Sequence, residues 1–144
     1  MRIQITCLAF VSLKISVITA VYNNRNTIVE AIESVLAQNH PLTELVVVDG
    51  GSSDGTLELL RQFGDRITVL VSEPDDGIYH ALNKGIALAS GDVIGFLHSD
   101  DVFPDVDVLD RVAKAFDTSA ADAVYGDLEY VQQQDVSRVV RYWK

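Results

Sequence analysis

Short runs of apolar, mostly β-branched residues alternate along this chain with stretches whose apolar residues recur at helical spacing, and this alternation restricts the fold more than any other feature. Ile15, Val17, Ile18 and Val21 make the first run, closed by the polar stretch Tyr22-Asn23-Asn24-Arg25-Asn26. A strand apolar on both faces needs cover on both sides, as in a parallel sheet between helices. Ile28, Ala31, Ile32, Val35 and Leu36 then fall at i, i+3, i+4, i+7 and i+8, the stripe of an amphipathic helix. Thr27 and Glu30 have capping-box spacing at its start.

His40-Pro41 ends that helix, and residues 42–48 read as a second strand closing on Asp49-Gly50-Gly51-Ser52-Ser53-Asp54-Gly55. A helix carrying Leu57, Leu60 and Phe63, a third strand at 67–71 and the loop Glu73-Pro74-Asp75-Asp76-Gly77 follow. The next helix is expected to turn Tyr79, Leu82, Ile86 and Ala89 inward and to stop before Gly91. Residues 93–97 read as a fourth buried strand. Pro104 introduces a helix with Val108, Leu109, Val112, Ala113 and Phe116 on one face, and a short strand is expected at 123–125. Residues 128–131 and 136–142 look like a hairpin that leaves the strand-helix rhythm. The fold class expected is α/β, a three-layer α/β/α sandwich with a mostly parallel sheet and a C-terminal hairpin.

With 144 residues the chain is long enough for one domain that buries about 68 to 70% of its unfolded surface. Residues 1–13 are largely apolar but too short to span a bilayer, which takes about 20 residues. They read as a leader or an extra strand ahead of a domain at 14–144. The single cysteine, Cys7, leaves no internal disulfide and no multi-cysteine zinc site, and reads as a small hydrophobe. A net charge of -10 argues against a protein that reads a nucleic-acid backbone or docks on an anionic membrane, because both need clustered Lys and Arg.

Right-handed crossovers put the C-terminal ends of all parallel strands on one edge, where open α/β sheets bind ligands. That edge would carry Tyr22 and Asn24, then Asp49, Ser52, Ser53 and Asp54, then Asp75 and Asp76, and finally His98, Asp100 and Asp101. Ser52, Ser53 and Asp54 read as turn formers and caps. Asp100 and Asp101 are different, since adjacent like charges at a strand end repel unless a cation or ligand hydroxyls offset them. The first strand has no glycine-rich turn after it and no G-x-x-x-x-G-K-[ST] occurs, so a bound nucleotide would use carboxylates and a metal rather than a phosphate-cradling loop. His98, at the strand end, His40 and His80 read as structural residues, and none forms a nucleophilic triad with Cys7 or a serine.

Ile18-Thr19-Ala20-Val21-Tyr22-Asn23, Val46-Val47-Val48-Asp49-Gly50-Gly51-Ser52-Ser53-Asp54-Gly55-Thr56, Gly77, Ala81, Asn83-Lys84-Gly85, Ala89-Ser90-Gly91-Asp92 and His98-Ser99-Asp100-Asp101 occur in that order. Together, over residues 14–143, they closely resemble the family 2 glycosyltransferases of GT-A fold. The resemblance implies transfer of a sugar from a UDP- or GDP-linked donor to an acceptor, inverting and dependent on Mn²⁺ or Mg²⁺, as in surface polysaccharide biosynthesis. It implies a nucleobase loop at Thr19, Ala20, Val21, Tyr22 and Asn24, with Tyr22 against the base and Asp49 accepting from a base N–H. Asp76 and Lys84 would line the nucleotide pocket, where Lys84 reads either as a phosphate partner or as a solvated helix lysine. Asp100 would hold the ribose hydroxyls and Asp101, with Asp100, the metal. Relatives often carry a further acid where this chain has His98.

The catalytic base of such enzymes lies in an acceptor-binding half, expected here beyond Lys144, and Asp127, Glu129 and Asp135 do not match its motif. A donor-binding module without transfer activity is therefore the alternative. A phosphoacceptor signalling domain is disfavoured, because it needs acids after the first and third strands. The family likeness implies work in the cytoplasm, with peripheral membrane association left open. An uncovered sheet region near Tyr130, Tyr142 and Trp143 is expected to favour self-association.

Overall fold

The computed structural model describes residues 13–119, 121–132 and 135–143. The expectations placed on Cys7 and on residues 1–12 lie outside these. The elements run β1 (Ile15–Val21), α1 (Ile28–Leu36), β2 (Thr43–Asp49), α2 (Thr56–Arg61), β3 (Val69–Ser72), α3 (Ile78–Leu88), β4 (Val93–Phe96), α4 (Val108–Thr118), β5 (Leu128–Gln132) and β6 (Asp135–Trp143). The described residues divide into two compact units, one reaching to residue 113 and one starting at residue 114.

In the first unit, β1 to β4 form one parallel sheet in the order β3-β2-β1-β4. One face buries Ile15, Val17, Val21, Leu45 and Val47 against Ile28, Ile32 and Val35 of α1 and Leu60 of α2. The other buries Ile18, Ala20, Val46 and Val48 against Ala81 of α3. Burying each such aliphatic side chain contributes about 1.5 to 3 kcal/mol, so the two central strands, apolar on both faces, anchor the unit.

Four local readings are corrected. The inward face of α3 carries Ala81 and Gly85, with Leu82 partly buried, whereas Tyr79 and Ile86 are exposed. The reason is Gly85: a Cβ there would overlap Ile18 Cγ2, so the helix lies closer to β1 than any side chain permits. Strand β4 is half exposed, with Ile94 and Phe96 open to solvent, because it forms the sheet edge while α3 packs against β1 and β2. Thr27 makes no side-chain cap bond, so the capping box does not form. Residues 123–125 carry no strand.

At the edge opposite the ligand edge, Glu44 is buried under a clasp. Ser16 Oγ donates to Oε2 at 2.5 Å, Ser90 N–H to Oε2 at 2.7 Å, Ser90 Oγ to Oε1 at 2.6 Å and Lys14 Nζ to Oε1 at 2.9 Å. Burial alone would raise the Glu44 pKa, but these donors outweigh it and bring it from 4.5 down to about 2. The second unit contains the expected hairpin, β5 antiparallel to β6, with Tyr130, Tyr142 and Trp143 exposed.

Candidate functional site

The chain runs from β1 outward through β2 to β3 and then returns to the other side of β1 for β4, so the strand order switches direction between β1 and β4. The loops leaving those two strands meet at the switch, the usual crevice for a ligand of an open α/β sheet. Leu97 N–H donates to Ile18 O at 3.1 Å. Beyond it, Asn24 Nδ2 donates to Ser99 Oγ at 2.9 Å and Thr27 Oγ1 to Ser99 O at 2.8 Å. Asp100 and Asp101 come next, both exposed, in a turn closed by Asp101 N–H donating to His98 O at 3.0 Å.

Although Asp101 is open to solvent, the protein around its carboxyl desolvates it enough to push it up from its ordinary value, the Asp100 charge adds to this, and His98 opposes it. A nearby cation would relieve both penalties. The donor set is hard oxygen, and among the described residues no group of three or more His, Cys, Asp or Glu encloses an ion. Two adjacent carboxylates have the hard-oxygen donor chemistry that suits divalent cations such as Mn²⁺ or Mg²⁺.

The loop after β1 is laced to the loop after β2. Asn23 N–H donates to Ser52 Oγ and Ser53 N–H to Asn23 Oδ1, both at 2.8 Å, and Asn24 N–H to Thr56 Oγ1 at 3.0 Å. Asp54 accepts from the Thr56 hydroxyl at 2.6 Å and from Thr56 N–H at 3.0 Å, the hydroxyl being the larger cause of its lowered pKa. Asp54 is thus a turn former at the start of α2, as its spacing indicates.

Asp49 is fully buried at the end of β2. Ser52 donates to it through both N–H and Oγ, and Ser72 Oγ donates to Oδ2 at 2.7 Å. Beside it, a Cβ on Gly50 would stand 2.8 Å from Asp75 Oδ2, so the glycine is what lets the Asp75 carboxylate lie against this turn. Asp75 also accepts from Gly77 N–H at 2.9 Å. Asp76 behaves differently, since its side chain is 98% exposed while its N–H donates to His80 Nδ1.

Of the remaining residues picked out in the sequence, Tyr22 stands exposed at the end of β1. Thr19, Ala20 and Val21 are buried within that strand. Thr19 shares the strand parity of Val17 and Val21, and its Oγ1 has no partner among the described residues. Lys84 Nζ pairs with Glu73 Oε1 at 2.8 Å, and this bond is the main cause of the lowered Glu73 pKa. The structure therefore gathers Tyr22, Asn24, Asp100 and Asp101 at the switch, places Asp49 and Asp75 at the neighbouring strand end, and leaves Asp76 in solvent. Sequence reasoning put Asp75 on this edge without singling it out, and the run of glycines after Asp49 was the available signal for a close neighbour.

Residues 16–143 match the family model described as glycosyl transferase family 2. The chain belongs to glycosyl transferase family 2. This family 2 chain is 34% identical to glycosyltransferase AglE of Haloferax volcanii over 133 residues, which cover 89% of the chain and 43% of AglE. It is 42% identical over 90 residues to the putative teichuronic acid biosynthesis glycosyltransferase TuaG of Bacillus subtilis, covering 60% of the chain and 36% of TuaG. The chain thus spans less than half the length of these curated relatives.

Among solved structures, S. aureus TarS residues 1-349 in complex with UDP-GlcNAc superpose with a TM-score of 0.70 at 28% identity, covering 76% of this chain and 33% of that one. The mannosyltransferase PcManGT of Pyrobaculum calidifontis, in complex with GDP-Man and Mn²⁺, gives 0.66 at 28% identity, covering 87% and 37%. The family 2 chain has the GT-A fold that its motifs imply.

Proposed function

We propose that this chain is the donor-binding part of an inverting, metal-dependent glycosyltransferase that takes a sugar from a nucleoside diphosphate, in the assembly of a surface polysaccharide. The observation that carries the reading is the adjacent pair Asp100 and Asp101 at the β1/β4 switch of a family 2 chain. The neighbours that hold UDP-GlcNAc and GDP-Man with Mn²⁺ support the donor class and the metal.

In this reading Tyr22 lies against the nucleobase, the β1 end at Thr19 to Val21 and the loop to Asn24 frame it, and Asp49 accepts from a base N–H. Asp100 holds the ribose hydroxyls, and Asp101 with Asp100 holds Mn²⁺ or Mg²⁺. Asp76 and Lys84 line the nucleotide pocket, where Lys84 balances phosphate charge by exchanging Glu73 for the ligand. When bound, the cation neutralises charge that grows on the departing diphosphate. The residues of this chain bind and orient the donor, and no acid among them is assigned as the base that deprotonates the acceptor. Transfer is a property proposed for the whole protein, and the family likeness is what supports work in the cytoplasm. Among the described residues no helix is long and apolar enough to cross a membrane.

Calorimetric titration with UDP and GDP, with and without Mn²⁺, tests the reading. One nucleotide should bind more tightly with Mn²⁺, and Asp101→Asn should remove that gain. Because the folded chain disfavours the Asp101 charge, the same variant should melt no lower than the parent at pH 7. Absence of metal-dependent binding to either nucleotide would sink the proposal. Donor hydrolysis and transfer to simple sugars then separate a transferase from a binding module.

A further inference from the structure

The Thr27 hydroxyl is not where its sequence context would put it. It stands at the cap position of α1 with capping-box spacing to Glu30, yet it caps nothing and donates instead to Ser99 O, 72 positions along the chain. Asn24, in the preceding loop, donates through Nδ2 to the hydroxyl of the same residue. Ser99 directly precedes Asp100, so both bonds from the β1 to α1 connection arrive at the foot of the acidic pair. On the far side of the pair, Phe103 N–H donates to Ser34 Oγ of α1 at 3.1 Å. Farther on, Gln38 Nε2 donates to Asp105 O at 2.7 Å, and Leu109 N–H donates to Gln38 Oε1 at 3.1 Å. The acidic turn is therefore suspended between two anchors supplied by one helix and the loop before it.

We infer that Asn24 and Thr27 are positioning residues, acting through Ser99 to set the direction in which Asp100 and Asp101 face a divalent cation. The inference rests on the donor-binding reading above. Neighbouring carboxylates repel, and a turn free to open would separate them and weaken any shared ion. Bonds that orient a metal's ligands without touching the metal are commonly as necessary as the ligands. Asn24 thereby gains a role through its side chain that differs from the base contact its motif implies. The Thr27 hydroxyl is also dispensable to α1 itself, whose first turn is closed by Ala31 N–H donating to Thr27 O at 3.1 Å.

Thr27→Val keeps the shape and removes the donor, and Thr27→Ala serves should the valine crowd the loop. In the full chain, UDP and GDP are titrated with and without Mn²⁺ for the parent, Thr27→Val, Thr27→Ala and Thr27→Ser. The Mn²⁺-dependent gain in affinity should fall about 10- to 100-fold in the first two variants. Metal-free nucleotide affinity should fall by less than the Mn²⁺ gain does, since of the metal-free contacts only the Asp100 bond to the ribose hydroxyls shares the turn. Thr27→Ser should restore the gain. Equal Mn²⁺ gain in parent and Thr27→Val, or a matching loss of metal-free affinity, would overturn the positioning role alone. A parent that shows no Mn²⁺ gain would overturn the donor-site reading and this inference with it.

Discussion

Asp49 and Asp101 are both carboxylates at the ends of neighbouring parallel strands, yet their surroundings separate their work. Asp49 is buried and held by Ser52 and Ser72, so its oxygens keep one direction. Asp101 is exposed beside a like charge, and among the described residues no such donor holds its carboxylate. Replacing Asp49 with Asn turns an amide N–H₂ toward groups that donate. Asp49→Asn should therefore cost about 1 to 3 kcal/mol, read as a lower urea midpoint with an unchanged slope. An unchanged midpoint would show that the Ser52 and Ser72 bonds contribute nothing to the fold. The strand-end positions of Asp49, Asp100 and Asp101 are legible in the sequence because each follows an apolar run. The partner of Thr27 was not, since a bond across 72 positions is set by the sheet order and leaves no local spacing to read.

At the scale of the element, hydrophobic periodicity located the four parallel strands and α1, and it misjudged α3 for an identifiable reason. A count of apolar side chains favours Tyr79 and Ile86, whereas the helix seats itself on its smallest residues, Ala81 and Gly85. Gly85→Ala should destabilise the chain by about 1 to 3 kcal/mol, because Ile18 lies in the fully packed core and has little room to give. A thermal melt equal to the parent's would contradict this packing account. Glu44 was likewise hidden, inside a run that otherwise reads as a buried strand. Its depressed pKa gives the sign of the effect: the stability it contributes is fully present above about pH 4.5 and is lost as pH falls towards 2. The stability difference between the parent and Glu44→Gln should shrink through that window, as followed by urea titrations at successive pH values. A constant difference from pH 6 to pH 2.5 would remove the clasp from the account.

For the first unit as a whole, the parallel order β3-β2-β1-β4 concentrates the acidic loops at one edge and sends the Glu44 clasp to the other. Each edge has its own chemistry, a closed ion pair with satisfied donors at one and open carboxylates at the other. The half-exposed β4 departs from the sequence reading because apolar composition reports that a residue is suited to burial and leaves open which element covers it. A chain with net charge -10 offers many surface carboxylates to a divalent ion, including Asp105, Asp107 and Asp110, so the location of the metal decides more than its affinity. The most direct test is Mn²⁺-induced broadening of backbone amide resonances, with UDP or GDP present and Mn²⁺ well below the chain concentration. The amides of residues 98–102 and of Tyr22 to Asn24 should broaden first, while those around Glu44 stay sharp. Broadening centred on residues 105–110, or spread evenly over the acidic surface, would contradict a donor site at the β1/β4 switch.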